Sequence, residues 1–314
     1  MNILFITANR IGDAVLSTGV LAHLVEKYPD ARFTIACGPV AADLFRAVPR
    51  LDHLFLLRKE KRNGHWIKLW RFCVGQKWDL IVDLRNSFIT RLLWAKKRAY
   101  RPSHSTGRHK VEDNAAALGL SPPPAPKIWL DAESEAKAAA LIPANTKILA
   151  LAPAANWPAK QWPVERFSEL ARRLTAGSGL LPNAKILIAA APHEREQLAP
   201  LFATLPADRI IDTQSLDLLA IAACFAKAAL FVGNDSGLMH VAASMGTPTL
   251  GLFGPGWDKI YGPWGVKAVV VRTPESSAEL LARLPYAGAP EPNLMGGLTV
   301  DTVEEAARAL LSRP

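Results

Sequence analysis

The chain has 314 residues, more than one hydrophobic core usually organises, so two domains of roughly 100–200 residues are expected. Half of it is hydrophobic, yet no window approaches the roughly 18 unbroken apolar residues of a membrane span. Arg10 and Asp13 follow the first apolar run too closely for a signal peptide, and the expected compartment is the cytoplasm. The net charge of +9 lies in one half: residues 1–150 carry 23 Lys and Arg against 13 Asp and Glu (+10), and residues 151–314 carry 14 against 15 (−1). The cations are densest over 58–110, where 15 basic residues meet only Glu60, Asp79 and Asp83. This asymmetry implies an anionic partner: nucleic acid, an acidic membrane surface or a phosphorylated substrate.

The first element is the β-branched run "ILFI" at 3–6, a strand candidate. From Ala14 onward, Val15, Leu16, Val20, Leu21 and Leu24 recur at helical spacing. Residues 7–13 then lie at the carboxyl end of a strand, where open α/β sheets bind ligands. The turn holds Gly12 but no G-x-G-x-x-G, so the dinucleotide fingerprint is missing. It also carries Asp13, which fits either a helix cap complementing the dipole or a functional acid. Further strand candidates at 32–36, 53–57 and 80–84 alternate with amphipathic stretches, the pattern of a parallel sheet wrapped by helices. The Pro-rich "GLSPPPAPKIWL" cannot continue a helix, and an Ala-rich helix candidate at 132–141 follows it. The boundary therefore falls within 121–147, and the domains are set at 1–135 and 136–314. Cys37, Cys73 and Cys224 have neither metal nor redox spacing and read as reduced core residues.

The second half repeats the style with strand candidates at 148–152, 184–190, 209–212, 229–232 and 249–253. After the first of these, Lys160 sits in the Pro-bounded loop "NWPAKQWP", where a lysine either reaches a phosphate as a point charge or is simply solvated. "APHERE" follows the next strand and offers Glu194 to ribose hydroxyls. The sharpest signal is "LFVGNDSGLMHVAASMGTPTLGLFGP" at 230–255. A strand ends, Gly233 to Gly237 form a turn of small and polar residues, and a helix begins near Leu238. Backbone N–H groups at such a helix start suit a diphosphate, with the Ser236 hydroxyl and His240 of the first turn beside them. The next strand runs into Gly254-Pro255-Gly256, a second turn for the same cradle. The plain alternative is a capped helix with a core histidine. In the tail, "TVDTVEEAARALL" is a helix capped by Thr or Asp, for which a position against the first domain is open.

Together "RIGDAVLSTGVL", "DLRNSF", "PAKQWP" and "NDSGLMHVAASMGTP" resemble, in order and approximate spacing, the ADP-heptose:lipopolysaccharide heptosyltransferases of glycosyltransferase family 9. The resemblance runs from Ile3 to the last helix and is most specific around Asp235. It implies the α/β GT-B architecture, two facing Rossmann-like domains with parallel sheets and an interdomain cleft. It also implies metal-independent, inverting transfer of heptose from ADP-L-glycero-D-manno-heptose to the lipopolysaccharide inner core, with no cofactor. Asp13 matches the family's catalytic base and Lys160 the lysine that neutralises the departing diphosphate. Asp235 matches a contact to the donor sugar; Ser236, Gly237, Leu238 and His240 match the diphosphate cradle, and Glu194 a nucleotide-binding glutamate. The implied acceptor is an anionic lipid A/Kdo-type glycolipid at the inner leaflet, which the basic first half would face. Arg85, Asn86, Ser87 and Arg91 are assigned to it, and attraction of roughly 1 kcal/mol per nearby cation would suffice for peripheral association with that membrane.

The chain departs from the family in two places. Gly256 stands where a Ser or Thr is common, and of a usual Cys-Met pair before the last helix only Met295 remains. Competing readings are a family 9 transferase with another donor or surface-glycan acceptor, a nucleotide-dependent oxidoreductase or epimerase, and a basic nucleic-acid-binding protein. The missing G-x-G-x-x-G weighs against the oxidoreductase. Nucleic acid is not expected as a partner, because the most specific motif lies in the neutral half.

Overall fold

The apolar runs form two parallel sheets. In the computed structural model, residues 1–102, 107–284 and 292–313 are described, and the chain divides into two units, Met1–Asp131 and Ala132–Pro314. In the first unit β1 (Asn2–Ile6), β2 (Arg32–Cys37), β3 (Leu51–Leu56), β4 (Trp78–Asp83) and β5 (Ala95–Tyr100) lie in the order β3-β2-β1-β4-β5. The strands are parallel, with Ile3 opposite Phe33 on one side and Leu80 on the other. Buried on both faces, the central strand reads as a continuous apolar run rather than an alternating one. One face packs Leu4, Ile6, Trp78 and Ile81 on Leu69 and Cys73 of the helix Gly64–Cys73.

The second unit holds β6 (Ile148–Ala152), β7 (Lys185–Ile188), β8 (Ile210–Asp212), β9 (Leu230–Asn234), β10 (Thr249–Phe253) and β11 (Ala268–Arg272), in the order β11-β10-β9-β6-β7-β8. Its core joins Leu149, Leu151, Val232, Leu250 and Leu252 to Phe167, Leu170 and Leu174 of the helix Val164–Thr175. Each such side chain contributes about 1.5–3 kcal/mol by leaving water. In both sheets the strand order reverses once, between β1 and β4 and between β6 and β9. At such a switch point neighbouring loops diverge and leave a crevice beyond the strand ends. Among the described residues no helix is long and apolar enough to cross a membrane.

Two details differ from expectation. The strands β5 and β11 are additional to the expected set, and both are edges. Lys96, Lys97 and Arg98 make β5 look like a charged loop in sequence, and they also blunt its unpaired edge; the "AVVVR" of β11 carries the ordinary β-branched signal. The units divide at 131/132 rather than 135/136, because the helix Ala132–Leu141 belongs whole to the second unit, where Lys137 pairs with Asp217 at 3.1 Å. The final helix Val300–Leu311, capped by the Thr299 hydroxyl accepting the Thr302 N–H, also belongs there. Its Val303, Ala307 and Leu310 enter the second core.

Candidate active site

In the second unit the switch point gathers the loops after β6 and β9. The β9 strand ends in Asn234, fully buried. Its side chain accepts the Trp162 N–H at 3.0 Å and donates to the Pro153 carbonyl at 2.7 Å, clamping both ends of the loop that carries Lys160. The Trp162 ring, buried edge-on against Phe167, donates to the Leu298 carbonyl at 2.8 Å. Lys160 is thereby delivered beside β9, with its ammonium 5.8 Å from the centre of the Trp157 ring and ion-paired to Asp235.

Ser236 is the N-cap residue of the helix Gly237–Ser244, yet its side chain makes no capping bond. Its hydroxyl is buried with no hydrogen-bond partner. A donor stranded at a helix start costs free energy unless something binds there, and the first-turn N–H groups beside it favour an anion. Gly237 and Leu238 are half-buried at this start, and His240 is buried in the same turn. Glu194 lies beyond β7, one strand over from β6, and one of its oxygens accepts the Ala191 N–H at 2.7 Å within its own turn. Burial pushes the Asp235 carboxyl above the usual carboxylate range, Lys160 pulls it back, and Asp258 raises it further. Asp258 is itself ion-paired with Arg272.

In the first unit the loops after β1 and β4 meet. Asp83, fully buried at the end of β4, takes the Arg85 N–H and the Ser87 N–H at 2.9 Å, the Ser87 hydroxyl at 2.6 Å and the Thr90 hydroxyl at 2.9 Å. One carboxylate thus shapes the whole loop. Asn86 adopts a left-handed conformation (φ 52°) and accepts from Arg91 at 3.3 Å. The Ser87 hydroxyl is spent on Asp83 and buried, so it holds the loop instead of facing an acceptor. Arg85 donates to the Asn9 side chain at 2.9 Å and lies 5.5 Å from the Trp66 ring centre. Burial lowers its pKa, while Asp83 and Asp13 oppose that effect.

Asp13 stands in the first turn of the helix Ile11–Val15, whose N-cap is Arg10 with no side-chain cap bond. Asp13 therefore makes no capping bond here, although its place in the first turn complements the helix dipole. Two cations feel its charge, Arg85 and Lys110, the latter held below its ordinary value chiefly by burial and by Arg101. Lys110, Asp83 and Asn234 are absent from the expected site. A polar residue closing an apolar strand was the available signal for Asp83 and Asn234; Lys110 was hidden among 15 basic residues.

Residues 72–284 match glycosyltransferase family 9 (heptosyltransferase). The match spans more than half of the chain, which belongs to this family and is a glycosyltransferase. Lipopolysaccharide heptosyltransferase 1 of Pseudomonas aeruginosa is 26% identical over 301 residues, covering 84% of this chain and 82% of that one. The structure of a family 9 glycosyl transferase from Veillonella parvula has a TM-score of 0.77 at 21% identity, covering 99% and 97% of the two chains. E. coli heptosyltransferase WaaC with ADP has a TM-score of 0.74 at 18% identity, covering 99% and 100%. The paired parallel-sheet α/β fold is the one these structures share.

Proposed function

We propose that the chain transfers heptose from ADP-L-glycero-D-manno-heptose to a hydroxyl of the lipopolysaccharide inner core, with inversion and without a metal. The observation that carries this reading is the convergence at the second switch point of an uncapped helix start, the unpartnered Ser236 hydroxyl and Lys160. Supporting it, the Pseudomonas relative is named a lipopolysaccharide heptosyltransferase, and WaaC was solved with ADP.

In this mechanism Asp13 takes the proton of the acceptor hydroxyl, whose oxygen attacks the anomeric carbon. The bond from that carbon to the diphosphate breaks on the opposite face, and its electron pair leaves with ADP. The N–H groups of residues 237–239, the Ser236 hydroxyl and Lys160 neutralise the charge that builds on the diphosphate, preorganised electrostatics that act without reorientation during the reaction. Asp235 holds a sugar hydroxyl and Glu194 the ribose. Arg85, Asn86, Arg91 and Lys110 receive the phosphates and carboxylates of a Kdo-bearing lipid A, placing its hydroxyl at Asp13. The excess charge of the first unit favours a peripheral position at the cytoplasmic leaflet. The family match begins beyond Asp13, so the base is the first role to test. With ADP-heptose, a heptose-deficient Kdo-lipid A acceptor and EDTA, ADP release persists in the wild type and falls roughly 10²–10⁴-fold in Asp13→Asn. Equal rates would remove Asp13 as the base, and a wild type that does not bind ADP would remove the donor site.

A further inference from the structure

Gly256 closes the turn after β10, and its backbone lies outside the left-handed region, so the turn itself does not demand glycine. The demand comes from a side chain. A Cβ at 256 would sit 2.4 Å from Asp235 Oδ2, the oxygen that Lys160 contacts, and 3.1 Å from the Phe253 ring. The turn has little room to retreat, because the Gly256 carbonyl accepts the Ser277 hydroxyl at 2.7 Å and the Gly254 carbonyl accepts Arg272 at 3.1 Å. The Asp235 carboxylate, the free end of a side chain, is the part that would yield.

We infer that Gly256 is a positioning residue for the donor site: lacking a Cβ, it admits the Asp235 carboxylate to the place where it holds Lys160. A lysine is a point charge on a flexible stem with many rotamers to lose. Anchoring one of its three donors on Asp235 orders the stem and leaves two for a phosphate. Their low exposure, 25% for the lysine and 9% for the aspartate side chain, keeps the pair out of bulk water, where it would be weak. The ligand class, a diphosphate, rests on the function proposed above; the Gly256–Asp235–Lys160 coupling does not.

The test reads the coupling first without ligand. Limiting acetic anhydride labels lysines by accessibility and basicity, and mass spectrometry follows Lys160 against the exposed Lys267. Gly256→Ala and Asp235→Ala should each raise Lys160 labelling about tenfold, and the double variant should rise no further, because residues acting through one contact are not additive. Gly256→Ser gives a second variant, and thermal melts establish that each is folded. Unchanged labelling in folded Gly256→Ala, or a full added effect on top of Asp235→Ala, would overturn the inference. The second arm titrates ADP. Gly256→Ala should weaken ADP about tenfold in the native background and not in the Asp235→Ala background. If labelling follows the coupling and the wild type binds no ADP, the donor-site reading falls while the positioning role stands.

Discussion

Asp83 and Asn234 do parallel jobs in the two units. Each ends the strand beside a switch point, each is fully buried, and each converts that burial into hydrogen bonds that fix a functional loop. Removing either leaves buried N–H or hydroxyl groups without partners, at about 1–3 kcal/mol. Asp83→Ala should lower the unfolding free energy by that amount in urea titrations, and should loosen Arg85, whose own N–H leans on Asp83. The cysteines show burial with no such partners. Burial pushes the Cys37 and Cys73 thiols up to about 12 and Cys224 up to about 11. A thiol reagent at pH 8 should therefore label none of the three in the native protein and all of them in denaturant.

At the scale of elements, the decisive objects are strand ends. Strands β1, β4, β6 and β9 were legible because each is a run of apolar residues long enough to be buried on both faces. The Asp235 turn was legible because glycine, serine and asparagine concentrate where the backbone must meet a ligand. The edge strand β5 was not legible, since Lys96, Lys97 and Arg98 erase the hydrophobic pattern that marks a strand. Nor was the Lys160–Asp235 pair, whose members are 75 residues apart and meet only through the β6–β9 adjacency. That pair has a pH signature. The folded state raises the Asp235 pKa above the ordinary 3.8, so this group's contribution to stability is greatest in acid and is lost as pH rises through the folded value. Measured against Asp235→Asn, the stability of the wild type should therefore become relatively less favourable from about pH 4 upward. A difference that grows with pH would mean that Lys160 outweighs burial.

For the whole molecule, charge is partitioned between the two units. Residues 1–131 carry 21 Lys and Arg against 11 Asp and Glu (+10), and residues 132–314 carry 16 against 17 (−1). Salt should act unequally on the two substrates, since it screens exposed, dispersed cations more than partly buried ones. Raising ionic strength from 0.05 to about 0.3 M should increase the KM for an anionic lipid acceptor several-fold more than the KM for the donor. Equal responses would detach the basic unit from acceptor binding. The switch points have a consequence for how such a chain diversifies. The proposed chemistry resides in segments after β1, β4, β5, β6, β7, β9 and β10, whereas the inter-strand hydrogen bonds and most apolar packing lie elsewhere. Inheritance can therefore rewrite these segments while the scaffold goes on folding, and a laboratory can do the same. Grafting residues 153–163 together with 254–256 from a relative with a different donor is the smallest exchange that carries a lysine, its anchor's clearance and the second turn across as one heritable module.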